Sequence, residues 1–244
     1  IAWDTVATSD DEGEKQLAAA VRKILTVSPA EVLNLNDAQK YQFCRYRISV
    51  GDTLFFNRII NSFQNDNYKA QALLDMAKRL FDLDAIPAAI RYYSQVGGLP
   101  LTDKRLFSDV QHFELQLLAS RGELQKLAKQ INAGIEFNRA RTLEKMLYTA
   151  LLHEASGDTT EAAKNYRIVG TYNPYFEEGV IAAARYFKQH GNDPMRAYTI
   201  LVDAIQINSN SIRLQKAYAA EAARMGFDEY AASALERVDE LRGK

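Results

Sequence analysis

The sequence has 244 residues, of which 47% are apolar and 25% charged, with a formal net charge of −1. That apolar share excludes wholesale disorder, and the balanced charge removes the bulk basicity that nucleic acid or an anionic membrane surface requires. A single cysteine, Cys44, excludes an intrachain disulfide framework and every zinc site built mainly from thiolates.

No stretch of 18 consecutive apolar residues occurs, so no membrane-inserted helix is expected. The first residues carry no basic segment followed by an apolar core, so they do not read as a signal peptide. The chain begins at Ile1 rather than Met and is read as a processed product or one part of a longer protein. Residues 1–11, with Asp10-Asp11-Glu12, read as a disordered acidic segment. Low Gly and Pro, abundant helix formers and the lack of sustained alternation predict an all-α chain from 12 onward.

In chain order, Leu17, Val21 and Leu25 predict an amphipathic helix over 12–26. Ser28-Pro29-Ala30-Glu31 carries an N-cap, a proline at the first helical position and the glutamate of a capping box, so a short helix follows to about residue 35. Helices are then predicted over 37–50, 52–64, 66–82, 85–97, 102–121, 123–137, 140–156, 159–172, 176–190, 194–208, 211–225 and 228–242. Gly51 opens the 52–64 helix, whose buried face is Phe56, Ile60 and Phe63. A joint is placed at Gly97-Gly98-Leu99-Pro100.

The last hundred residues repeat. Gly157, Gly191 and Gly226 are spaced by 34 and 35 residues, and Gly122 precedes them by 35. After them come Ala162, Ala197 and Ala231, then Tyr166, Leu201 and Leu235, then Val169, Ala204 and Val238. Spacings of four and three place each trio on one helix face, with the alanine leaving room for a close neighbour. Ala88, Tyr92 and Gln95 repeat the spacing earlier, with Leu83-Asp84 where the later units have glycine. Each glycine is expected in the left-handed conformation that ends a helix, with Asp158, Asn192-Asp193-Pro194 and Asp228 starting the next. A single hairpin cannot bury its apolar face, so the hairpins must stack.

Over 143–176 the residues Met146, Ala150, His153, Gly157, Ala162, Tyr166, Val169 and Pro174 follow in order the pattern of a tetratricopeptide repeat, and the unit resembles that family. The units 177–211 and 212–242 continue it with Val180, Ala184 and Phe187, and with Gln215, Ala219 and Ala222. Gln215 fits its position poorly, and Ala222 stands where the pattern has an aromatic. The resemblance implies a right-handed α-solenoid of about six to seven stacked hairpins spanning 12–244. It implies a protein-interaction scaffold without catalysis or cofactor, with a peptide or protein as partner. The other reading is a structural segment of a larger multidomain assembly or cell-envelope protein, packed permanently against other domains.

By the family's geometry the first helices line the concave face. Glu144, Leu147, Leu151, Glu178 and Ile181 are then groove positions, and so are Arg185, Lys188, Arg213, Lys216 and Arg224. The last five form a basic strip suited to an acidic peptide, or a solvated face partly neutralised by Glu178 and Glu221. Ala182 and Ala217 stand where the family's carboxylate clamp needs polar side chains, so a clamped C-terminus is not expected.

Catalytic signals are weak. His153-Glu154 opens like a zinc-protease motif, but Gly157 replaces its second histidine. His112, His153 and His190 fall in different units, no metal site is expected from them, and no phosphate-binding glycine loop or nucleophile elbow occurs. Cys44 reads as a small buried residue, and Tyr41, Arg45 and Tyr46 read as core with a stacked arginine or as a second contact patch.

Overall fold

The computed structural model describes residues 28–49, 52–191 and 195–242. The acidic segment 1–11, the 12–26 helix, Gly51 and Asn192-Asp193-Pro194 lie outside the described residues. Within these, thirteen α-helices follow one another: α1 Pro29–Leu33, α2 Asp37–Ser49, α3 Thr53–Ile59, α4 Asp66–Asp82, α5 Ile86–Ser94, α6 Lys104–Ser120 and α7 Leu124–Asn132. Then come α8 Thr142–Ser156, α9 Thr159–Thr171, α10 Glu177–His190, α11 Arg196–Ile207, α12 Ile212–Arg224 and α13 Asp228–Arg242. Short 3-10 turns occur at Ile60–Ser62, Val96–Gly98 and Arg139–Arg141, and no strand occurs among the described residues. The described residues are all-helical; α1, α2 and α3 pack on one another, and each helix from α7 to α13 packs on the next. None is long and apolar enough to cross a membrane among the described residues.

Local chemistry sets the helix ends. Ser28 and Glu31 form the reciprocal capping box of α1, with Pro29 in the first turn. Asp52, Asp158 and Ser211 each accept the backbone N–H three residues on, capping α3, α9 and α12. Gly122, Gly157 and Gly226 have φ of 70°, 82° and 80°, and Asp84 takes the same left-handed place at 61°. Gly191 departs from this expectation: it is extended, with φ −84° and ψ 145°. A Cβ there would lie 2.3 Å from the Phe187 carbonyl oxygen, so the site demands glycine for space rather than handedness. The helix expected to reach 137 stops at Asn132, because Gly134 turns the chain at φ 92°.

The chain divides into two compact units, Ile1–Arg79 with Arg91–Leu106, and Leu80–Ile90 with Phe107–Lys244. In the first, α1, α2 and α3 touch one another pairwise. Val32, Cys44, Phe56 and Ile59 are wholly buried there, and Tyr92 meets Phe56 edge-on at 5.7 Å. Lys40 is buried and reaches the Ser62 carbonyl at 2.9 Å.

In the second unit, each helix from α8 to α13 packs on the next. In addition α8 touches α10, α10 touches α12 and α9 touches α11. The aromatic ladder Tyr166–Tyr186, at 4.6 Å and 27°, joins α9 to α10. The two helices come close at Gly170, where an added Cβ would stand 2.6 Å from the Ala183 Cβ.

The repeat positions are buried as expected inside the stack. Ala162, Tyr166 and Val169 are 0% exposed, and Ala197, Leu201 and Ala204 are nearly so. Two trios shift register: α13 buries Ala231, Ala234 and Val238 while Leu235 is 51% exposed, and around α5 the buried set is Ala89, Tyr92 and Val96, with Gln95 outward. Among the described residues the helix that packs strongly on α13 is α12, and the face toward it is the covered one.

Candidate functional site

The five basic residues of the strip lie on α10 and α12, and the structure brings each to a carboxylate. Arg185 on α10 meets Glu154 of α8 at 2.6 Å, and Lys188 meets Glu221 of α12 at 3.4 Å. Arg213 on α12 meets Glu178 of α10 at 2.5 Å, and Arg224 binds Glu221 within α12. The fifth, Lys216, pairs at 2.5 Å with Asp84, 132 residues away in sequence. Charges that alternate in sign along stacked helices thus stitch α8 to α10 and α10 to α12.

The last turn of α4 adds Phe81 to Asp84. Phe81 is wholly buried, edge-on to Phe113 of α6 at 5.8 Å, and the Arg213 guanidinium stacks 4.3 Å from its ring centroid. Gln116 of α6 donates to the Glu178 carboxylate at 2.6 Å. The α12 residues Arg213 and Lys216 are therefore occupied by the chain's own turn. Leu147 and Leu151, expected along a groove, are buried at 3% and 5% exposure and belong to the core.

Electrostatics follow from these contacts. Burial pushes the Glu221 carboxyl up, but the bonds and charges of Arg224 and Lys188 outweigh it and hold the group below its ordinary value of 4.5. Glu177 goes the other way: burial raises it, against a bond from Ser211. The Tyr166 phenol is raised by burial and by its bond to Glu154, whose Oε2 it meets at 2.5 Å.

The histidines stay apart in three settings. His112 is buried, with Nε2 3.0 Å from the Glu136 carbonyl oxygen and Nδ1 3.2 Å from Glu144. His153 lies 3.3 Å from Asp158, and His190 lies 3.6 Å from Glu154. No group of three His, Cys, Asp or Glu is arranged to hold a metal ion among the described residues. Cys44 is wholly buried, and burial pushes its thiol up to about 12, with Asp75 adding to the shift. Tyr41 donates to Asp75 at 2.8 Å, with the Arg45 guanidinium 6.0 Å from its ring.

Sequence reasoning missed Glu154, Phe81 and Asp84 as partners of the strip. The left-handed turn at Asp84 was legible from its repeat position, but nothing local points to Lys216. No protein-family model matches the chain, and no curated protein sequence matches it.

Proposed function

We propose that this chain is a non-catalytic protein-interaction scaffold: a right-handed solenoid of six to seven hairpins, like the tetratricopeptide-repeat proteins its sequence resembles, that binds a protein or peptide through its surface. The observation that carries this reading is the packing of α8 to α13, in which each helix rests on the next and alternate helices touch. Such stacking exposes long continuous faces made of several hairpins, which suits extended partners. The strip from Arg185 to Arg224 is the acidic partner's place in this reading. A partner there must exchange with Glu154, Glu178, Glu221 and Asp84, because every cation of the strip already has a carboxylate.

A second reading, a structural segment packed permanently against other domains, is favoured by a specific feature. The terminal helix α13 turns Tyr230 and Leu235 outward, 60% and 51% exposed.

One experiment separates the two. Affinity capture from the native host is run with wild type, with Arg185→Glu plus Lys216→Glu, and with Tyr230→Ser plus Leu235→Ser. In the first reading the charge-reversed variant loses its partner about tenfold or more, and wild-type capture weakens with salt. Capture that survives charge reversal and fails in the Tyr230/Leu235 variant transfers the conclusion to the second reading.

A further inference from the structure

The first unit holds an open cavity of about 390 Å3, a volume typical of small-molecule sites. Its lining includes two tyrosine rings in contact with each other, Tyr41 of α2 and Tyr68 of α4, with centroids 6.0 Å apart and planes inclined at 44°. Leu106 is its apolar floor, 4% exposed.

Hydrogen bonds tie together the elements that line this cavity. Asn67 clamps the start of α6 to α4: its Nδ2 donates to Thr102 Oγ1 at 2.7 Å, and its Oδ1 accepts from the Thr102 and Asp103 amides at 3.0 and 3.2 Å. Asp75, behind the lining, accepts from Tyr41 Oη at 2.8 Å and from Gln71 Nε2 at 2.9 Å, which fixes both side chains. Burial and Asp75 raise the Tyr41 phenol above its ordinary value, so it remains a donor.

The polar atoms left over define the ligand. Asp103 Oδ1 caps α6 through the Arg105 and Leu106 amides at 2.8 and 3.1 Å, and Oδ2 is bonded to none of the described residues. Asn65 Oδ1 accepts from the Asn67 and Tyr68 amides, which leaves its Nδ2. Gln71, bonded through Nε2, offers Oε1. Among the described residues no Lys, Arg or His lines the cavity, so an anion finds no counter-charge from them. Asp103 is the sole carboxylate of the lining among the described residues, and the positive end of α6 offsets it, so an organic cation is poorly matched too. Planar acceptors and donors beside one aromatic surface suit a neutral ring whose edge carries hydroxyls and whose faces are C–H.

We propose that this cavity is a saccharide-binding site, with one neutral pyranose ring against Tyr68 and Tyr41 and its hydroxyls on Asn65, Gln71 and Asp103. The site is independent of the basic strip and of the scaffold reading.

The test titrates the full chain with glucose, galactose, mannose and N-acetylglucosamine, read by saturation-transfer NMR. Wild type is compared with Tyr68→Ala and Asp103→Asn. Asparagine caps a helix as well as aspartate does, so Asp103→Asn keeps α6 while changing the atom facing the ligand. Thermal melts check that both variants are folded. Saturable binding of at least one sugar is expected, insensitive to salt and weakened about tenfold or more in each variant. The proposal is overturned if none of the four sugars saturates, if binding persists in either folded variant, or if only putrescine or inorganic phosphate binds.

Discussion

The interior helix α9 and the terminal helix α13 carry the same repeat position with opposite outcomes. Tyr166 is 0% exposed and stacks on Tyr186 of α10, whereas its counterpart Leu235 is 51% exposed. Both helices bury the small first residue, Ala162 and Ala231, and the last one, Val169 and Val238. The two helices differ in their neighbours. α9 is covered on one side by α8 and on the other by α10, while α13 packs on α12. Burial at the middle position is thus a property of the next hairpin rather than of the helix that bears the residue.

The largest way to break this comparison is to remove the terminal hairpin. Deleting 212–244 makes α10 and α11 the end of the stack and removes the helix that packs on α11, whose Ile200, Leu201 and Ala204 are buried. Aggregation or a clearly lowered melting temperature is expected, since stacked repeats depend on their neighbours. A monomeric truncation melting where the full chain melts contradicts the neighbour dependence.

Next in size is the position itself. Tyr166→Ala empties a wholly buried site and is expected to cost about 3–5 kcal/mol in denaturant unfolding, as large aromatic truncations do. Leu235→Ala is expected to stay within about 0.5 kcal/mol, as exposed substitutions do. Equal losses would mean that α13 is covered as α9 is.

Smaller still is overpacking at the seam. Ala197 is 1% exposed, and Ala197→Leu should cost about 1–3 kcal/mol. Ala232 faces solvent, and the same change there should be near neutral. Similar unfolding midpoints for the two variants would place the seam elsewhere.

The finest effect is a pH dependence. Glu221 has its folded value held below 4.5, so its contribution is present above that value and is lost as the pH falls through the lowered one. Glu177 is raised, so its contribution has the opposite sign and stability is lost as the pH rises through its folded value. Melting temperatures taken from pH 6 down to about 3 should therefore fall less steeply in Glu221→Gln than in wild type, and more steeply in Glu177→Gln. Parallel curves would mean that the Arg224 and Lys188 contacts carry no net stabilisation.

Much of the fold is legible in the residues because its signals are local. Caps such as Ser28, Asp158 and Ser211, left-handed turns at Gly157 and Gly226, and apolar residues three and four apart act within one or two turns of chain. They place thirteen helices with their order and most of their ends. The register slips at Gln95 and Leu235 occur where a helix lacks a neighbour on one side or runs out at a 3-10 turn, which spacing does not encode.

The sequence by itself therefore determined an all-helical chain of stacking hairpins and a basic series along Arg185, Lys188, Arg213, Lys216 and Arg224. Tertiary structure alone decided what those cations meet. Glu154 and Asp84 reach Arg185 and Lys216 from 31 and 132 residues away, and the Tyr41–Tyr68 cavity forms only when α2, α4 and the start of α6 are brought together. The physical reason is range. A cap or a turn is settled by bonds among adjacent residues, whereas an ion pair between helices or a cavity wall depends on how far each hairpin is rotated against the next. That rotation is fixed by close contacts such as Gly170 on Ala183, which no single segment carries.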